Sequence, residues 1–102
     1  MNKSIICIET STDVCSMALY ENKKISLLKE DNTKKHSQLL APFLDSIIKE
    51  CNFEIMNLDA IAISIGPGSY TGLRIGLSFA KGIAFSINKP IITVDTFDGI
   101  NL

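Results

Sequence analysis

The stretch Ile63-Ser64-Ile65-Gly66-Pro67-Gly68-Ser69-Tyr70-Thr71-Gly72-Leu73-Arg74-Ile75-Gly76 decides the fold, because it reads as a buried strand, a stiff turn and the start of a helix. Residues 60–65 are a near-continuous apolar run rich in β-branched side chains, the pattern of a strand covered on both faces in a mostly parallel sheet. Gly66-Pro67-Gly68 ends it: glycine accepts positive φ and close approach, while proline fixes φ and supplies no N–H. Beyond the turn, Ser69 or Thr71 is placed to cap a helix that runs to about Ile87. On that helix Gly72, Gly76, Ala80 and Ala84 fall four residues apart and make one ridge of very small side chains. Each glycine inside a helix costs roughly 1 kcal/mol relative to alanine, so the ridge is expected to receive another backbone at close range. Arg74, Lys81 and several serines interrupt the apolar run, which is too short and too polar to span a bilayer.

Upstream, residues 4–8 read as a first buried strand ending in the polar turn Glu9-Thr10-Ser11-Thr12-Asp13. Residues 14–20 alternate as a second strand, residues 21–24 form a hairpin turn, and residues 25–29 form a third strand, antiparallel to its neighbour. A charged loop over 29–35 leads to a helix capped by Ser37, with Leu39, Phe43, Ile47 and Cys51 in one row and Leu40, Leu44 and Ile48 in another. Pro42 lies early in it and predicts a bent or late-starting helix. Asn88-Lys89-Pro90 closes the second helix and residues 91–94 form a fifth strand. The order is βββαβαβ: an α/β chain with a mixed five-stranded sheet whose parallel crossovers run through the helices. Ligands of such sheets gather at the carboxyl ends of the strands where strand order reverses, which points to the Glu9 and Gly66 turns.

Composition sets bounds. The 102 residues are 46% hydrophobic with a net charge of -1, as expected of one soluble globular lobe. Ten basic against eleven acidic residues leave no electrostatic footprint for nucleic acid or an anionic membrane, and Lys23-Lys24 and Lys34-Lys35 read as solvated loop positions. Cys7, Cys15 and Cys51 form no C-x-x-C pair and sit in apolar contexts, as reduced thiols do. The apolar run over 5–8 is too short for a signal-peptide core, so the expected address is cytoplasmic. The sequence stops shortly after its fifth strand, where another helix would begin, and is expected to be a piece of a longer protein.

The glycine turn fails the nucleotide fingerprints on spacing. Counted from Gly66, Thr71 stands where a P-loop and a dinucleotide turn both need glycine, and Gly72 is followed by Leu73 rather than lysine. What remains is a helix N-terminus able to receive an anion, with Thr71 and Arg74 nearby; the plainer alternative is a tight turn serving helix packing. Glu9 is either an acid positioning a metal-bound water or phosphate, or a turn acid contacting neighbouring N–H groups, and the second is favoured. His36 is the single histidine, so a His-based zinc set or a Ser-His-Asp triad cannot be completed, and it reads as a residue at the start of the helix. Ser11, Ser16 and Ser69 lack the G-x-S-x-G elbow of a serine nucleophile.

Ile8-Glu9-Thr10-Ser11-Thr12 with Cys15-Ser16, then His36-Ser37, then the run from Gly66 to Gly76, resemble the N-terminal half of the bacterial TsaB (YeaZ) family, which is glycoprotease-like (Gcp). The resemblance spans nearly the whole chain. It implies a lobe of the actin/Hsp70/sugar-kinase (ribonuclease H-like) superfamily over residues 1–102, with the second lobe absent. It also implies a non-catalytic role in making threonylcarbamoyladenosine beside the tRNA anticodon. The implied partners are TsaD, the metal- and nucleotide-dependent paralogue, a second copy when alone, and a TsaE-like ATPase, with no membrane and no strong direct nucleic-acid contact. By the same resemblance the partner interface comprises His36, Leu40, Phe43, Leu44 and Ile47 of the first helix and Gly72, Ile75, Gly76, Phe79, Ala80 and Ile83 of the second. Glu9, Thr10, Ser11, Gly66 and Gly68 form a degenerate phosphate-binding set, with no cofactor expected beyond a weak nucleotide contact when the partner is present.

The paralogue carries Asn-His-x-Glu-Gly-His after the strand matching residues 91–94; here the run is Asp95-Thr96-Phe97-Asp98-Gly99-Ile100. Thr96 and Ile100 stand where the metal-binding imidazoles would be, so neither a metal site nor catalysis is expected. The chain departs from the family at Glu9, usually aspartate, and in stopping at Leu102. Two rivals remain: an ATP-using kinase or hydrolase of the same superfamily, and a homodimeric module unrelated to tRNA.

Overall fold

A computed structural model describes residues 3–32, 36–66, 68 and 70–94. Strands β1 (Ser4–Glu9), β2 (Cys15–Glu21) and β3 (Lys24–Asp31) are followed by α1 (His36–Glu50), a short 3-10 turn (Ile55–Asn57), β4 (Ala60–Ser64), α2 (Tyr70–Ile87) and β5 (Ile91–Val94). The sheet order is β3-β2-β1-β4-β5, antiparallel across β1-β2-β3 and parallel across β1-β4-β5. The expected α/β architecture with a mixed five-stranded sheet is the one observed. Strand order reverses between β1 and β4, so the Glu9 and Gly66 turns leave adjacent strand ends.

Local chemistry explains where each element stops. Asn22 and Lys23 take positive φ (54° and 66°), the two-residue hairpin geometry that matches strand twist. Both helices end alike, with an asparagine in the left-handed region, Asn52 (φ 49°) and Asn88 (φ 56°). In each, the next N–H bonds back to a carbonyl of the last turn, Phe53 to Ile48 at 2.9 Å and Lys89 to Ala84 at 3.0 Å, as in a Schellman motif. At the opposite end of the sheet, the Ser4 N–H donates to Asp59 Oδ2 at 2.7 Å and the Asp59 N–H to the Ser4 carbonyl at 2.8 Å, joining the starts of β1 and β4.

Several local expectations need correction. β3 runs on to Asp31, so Lys29 is a strand residue, and its ammonium pairs with Glu50 at the end of α1 at 2.5 Å. Helix α1 begins at His36 and runs through Pro42, so Ser37 lies inside it rather than capping it, and the start is not late. Pro42 and Gln38 are both exposed, so the carbonyl four residues back that loses its donor can be hydrated. Thr71 likewise lies within α2, while Ser69 and Pro67 lie outside the described residues.

α1 lies over β2 and β3, α2 over β4, β1 and β5, and the helices touch each other. Their shared core against the sheet contains Ile6, Ile8, Met17, Leu19, Ile61 and Ile63 from the strands, Leu40 and Ile47 from α1, and Ala80, Ala84 and Ile87 from α2. The small-residue ridge of α2 therefore faces inward. A Cβ at Gly72 would collide with the Thr10 carbonyl, and one at Gly76 with the Thr10 hydroxyl and Ile63. Thr10 is fully buried and its hydroxyl donates to the Gly72 carbonyl at 2.6 Å. A close backbone is indeed what the ridge accommodates, but it is the chain's own β1 end, and the expectation of a second subunit in that notch is corrected. Gly82, by contrast, is exposed, and a Cβ there would meet nothing within 4 Å among the described residues.

Two outcomes follow for stability. Gly76→Ala should lower the thermal midpoint, because a methyl forced against Thr10 and Ile63 overpacks by about 1–3 kcal/mol, whereas Gly82→Ala should raise it by roughly 4–8 °C through helix propensity; equal shifts would contradict the inward orientation. The second concerns pH. Burial pushes the Cys7 thiol from 9.0 up to about 11, and burial with the neighbouring Asp31 charge does the same for Cys15. The folded chain keeps these protons to higher pH than the unfolded chain, so the stability they contribute is complete below about pH 9 and lost toward 11. Urea unfolding should show this decline, and Cys7→Ala should flatten it.

Candidate functional site

On the outward side of the helix layer, α1 and α2 enclose a groove of about 550 Å³ lined by Ser37, Leu40, Ala41, Thr71, Arg74, Ile75, Ser78 and Phe79. Its floor is apolar, because Leu40 belongs to the core and Ile75 and Phe79 pack against it. Its rim is small and polar, and Arg74 supplies the one cation among the lining residues. The Arg74 guanidinium lies over the ring of Tyr70, 5.7 Å from its centroid, and Tyr70 is itself 73% exposed. Farther along α2, Phe85 is 90% exposed.

The residues singled out for a partner interface divide in two. His36, Leu40, Ile47, Gly72, Gly76 and Ala80 are buried inside the chain's own fold. Phe43, Leu44, Ile75, Phe79 and Ile83 are half-buried against the core. Among all eleven, Leu40, Ile75 and Phe79 also line the groove. The sequence reading missed Ser37, Ala41, Thr71, Arg74 and Ser78, because it followed the most apolar stripe, which is the one a helix turns toward its own sheet. The signal was available in Ser78 and Gly82, four residues apart on the side away from Gly76 and Ala80.

The turn after β1 is occupied from within. The Glu9 carboxylate accepts from the Ser11 amide at 2.9 Å and the Ser11 hydroxyl at 2.6 Å. Thr10 gives its hydroxyl to Gly72, and a Cβ at Gly68 would collide with the Ser11 carbonyl. Gly66, at φ 111°, needs the conformational freedom of glycine. These five residues do converge, as a mutually packed junction between the β1 and β4 ends. The Thr10 and Ser11 hydroxyls and the Ser11 amide that would face a phosphate already have internal acceptors. Glu9 behaves as the turn acid, the reading favoured from sequence.

His36 sits at the first position of α1, 7% exposed, with Nε2 2.6 Å from the Thr12 carbonyl. Cys15 is buried, Cys7 and Cys51 are half-buried, and all three are free. Among the described residues no three His, Cys, Asp or Glu side chains gather as a metal site, and no helix is long and apolar enough to cross a membrane. Thr96 and Ile100 lie outside the described residues.

The comparisons with known proteins agree with this architecture. The family model described as TsaD: tRNA N6-adenosine threonylcarbamoyltransferase matches residues 24–102. The TsaB protein of Buchnera aphidicola subsp. Acyrthosiphon pisum, named as a tRNA threonylcarbamoyladenosine biosynthesis protein, is 38% identical over 96 residues, covering 94% of this chain and 43% of its own length. The tRNA N6-adenosine threonylcarbamoyltransferase of Clostridium botulinum is 30% identical over 113 residues, covering 94% of this chain and 33% of its own. The structure of YeaZ from Pseudomonas aeruginosa superposes with a TM-score of 0.84 at 31% identity, over 91% of this chain and 43% of that one. The chain thus spans less than half the length of these relatives. With a matching family model over most of the chain, TsaB and YeaZ relatives along nearly all of it, and the ribonuclease H-like lobe of YeaZ, this chain belongs to the TsaD-related, glycoprotease-like family that includes TsaB and YeaZ.

Proposed function

We propose that this chain is the first lobe of an accessory subunit of tRNA threonylcarbamoyladenosine biosynthesis, and that it docks a TsaD-type catalytic paralogue through the outward side of α1 and α2 without performing the transfer itself. The groove between the helices carries the reading: an apolar floor of Leu40, Ile75 and Phe79 under a rim of small and polar side chains suits an incoming helix. Gly82 supports it. A glycine inside an exposed helix face costs roughly 1 kcal/mol, and a Cβ at Gly82 would meet nothing within 4 Å among the described residues. Kinship supports this choice of partner, since both TsaB and threonylcarbamoyltransferases align with this chain. Pairing with a second copy, assistance from a TsaE-like ATPase, a cytoplasmic address and a second lobe in the complete protein all belong to the same proposal.

The rival reading, an ATP-using kinase or hydrolase, requires the β1 turn to hold phosphate. The internal pairing of Glu9 with Ser11 and of Thr10 with Gly72 counts against it.

Affinity capture with the TsaD-type paralogue of the same organism tests the docking. The wild-type protein should retain the paralogue. Gly82→Leu, which projects into open space, should melt no lower than the wild type and lose at least about tenfold in affinity, the scale of one obstructed interface contact. Undiminished capture by Gly82→Leu would remove this face from the interface. ATP turnover by the full-length protein without the paralogue would instead favour the enzyme.

A further inference from the structure

At the start of α1 one imidazole lies between the β1 turn and α2. His36 Nε2 lies 2.6 Å from the Thr12 carbonyl oxygen, in the turn after β1. A carbonyl oxygen only accepts, so Nε2 carries the proton. On its other side the ring packs on α2: a Cβ at Gly72 would lie 3.5 Å from His36 Cδ2. The turn after β1, the first turn of α1 and the first turn of α2 thus meet on one side chain. Ser37, which follows His36, and Thr71, which precedes Gly72, both line the groove.

Packing alone does not account for histidine here. Nδ1 is buried and has no hydrogen-bond partner among the described residues, an arrangement that an apolar side chain of similar size would avoid. What histidine supplies is an N–H donor that reaches from the helix start to the Thr12 carbonyl while a flat ring fills the gap to Gly72. With the Thr12 carbonyl as acceptor at Nε2 and no partner at Nδ1 among the described residues, the Nε2–H tautomer is the form that fits.

We propose that His36 is a positioning residue: its Nε2–H pins the start of α1 to the β1 turn and to α2, and so sets the spacing of the two groove walls that the partner reads. The consequence for docking rests on the function proposed above; the pin itself is a property of the chain alone.

The test uses the wild-type protein, His36→Leu, which keeps bulk without a donor, and His36→Gln, whose carboxamide N–H can reach the same carbonyl. Nitrogen-detected NMR of the wild type should show the Nε2–H tautomer. His36→Leu should retain cooperative unfolding but displace the amide resonances of groove residues 37–41 and 71–79, and weaken capture of the TsaD-type paralogue about tenfold, as for one lost positioning hydrogen bond. His36→Gln should restore both. An Nδ1–H tautomer, or groove resonances unmoved in His36→Leu, overturns the pin. Equal docking by wild type and His36→Leu overturns its role at the interface while leaving the docking reading intact. A wild-type protein that captures no paralogue sinks the docking reading, and the tautomer and groove resonances then decide the pin. If His36→Leu does not fold, the wild-type tautomer and the His36→Gln resonances decide it.

Discussion

Thr10 at the end of β1 lies directly against the first two turns of α2, and the rest of the structure depends on that contact. Its hydroxyl donates to the Gly72 carbonyl, and its backbone and side chain occupy the space that Cβ atoms at Gly72 and Gly76 would need. Such an approach between a strand end and a helix is open only to glycine. Its effect is to bring α2 down onto β1 and β4 so that Ala80, Ala84 and Ile87 continue the same inward line over Ile61 and Ile63. The opposite side of α2, with Arg74, Ser78, Gly82 and Phe85, is left facing outward.

That division gives the two ends of the molecule different characters. At the carboxyl ends of β1 and β4, where an open sheet of this order ordinarily receives ligands, the loops are locked onto each other by Glu9, Ser11, Thr10 and Gly68. The helix layer instead presents a groove with an apolar floor. A strand-end junction paired from within, beside an open groove between the helices, is the arrangement that the docking proposal uses. Its relatives include both TsaB proteins and threonylcarbamoyltransferases, so a shared lobe is compatible with either specialisation.

Most of the architecture was legible in the sequence, because its signals are local and redundant. The β-branched run before Gly66, the hairpin turn over residues 21–24 and the Asn88-Lys89-Pro90 stop each have a physical reason visible in a few residues. The orientation of α2 was not legible in the same way. A ridge of Gly72, Gly76, Ala80 and Ala84 announces that something lies close, but not whether it is a second chain or the chain's own Thr10, sixty-two residues away from Gly72. At the Glu9 turn the favoured turn-acid reading agrees with the Ser11 N–H bond, while the pairing of Thr10 with Gly72 is a tertiary fact. His36 could be placed at a helix start from sequence, but its bond to Thr12 is a tertiary fact.

The central claim is that the inner side of α2 belongs to the sheet and its outer side to a partner. Hydroxyl-radical footprinting of the full-length protein, with and without the TsaD-type paralogue, measures this most directly, because it reports the solvent access of individual aromatic side chains. The account predicts that Tyr70, Phe79 and Phe85 lose reactivity in the complex while the buried core, Met17 included, stays unreactive in both states. Unchanged reactivity at Tyr70, Phe79 and Phe85 in a complex shown to have formed would contradict it.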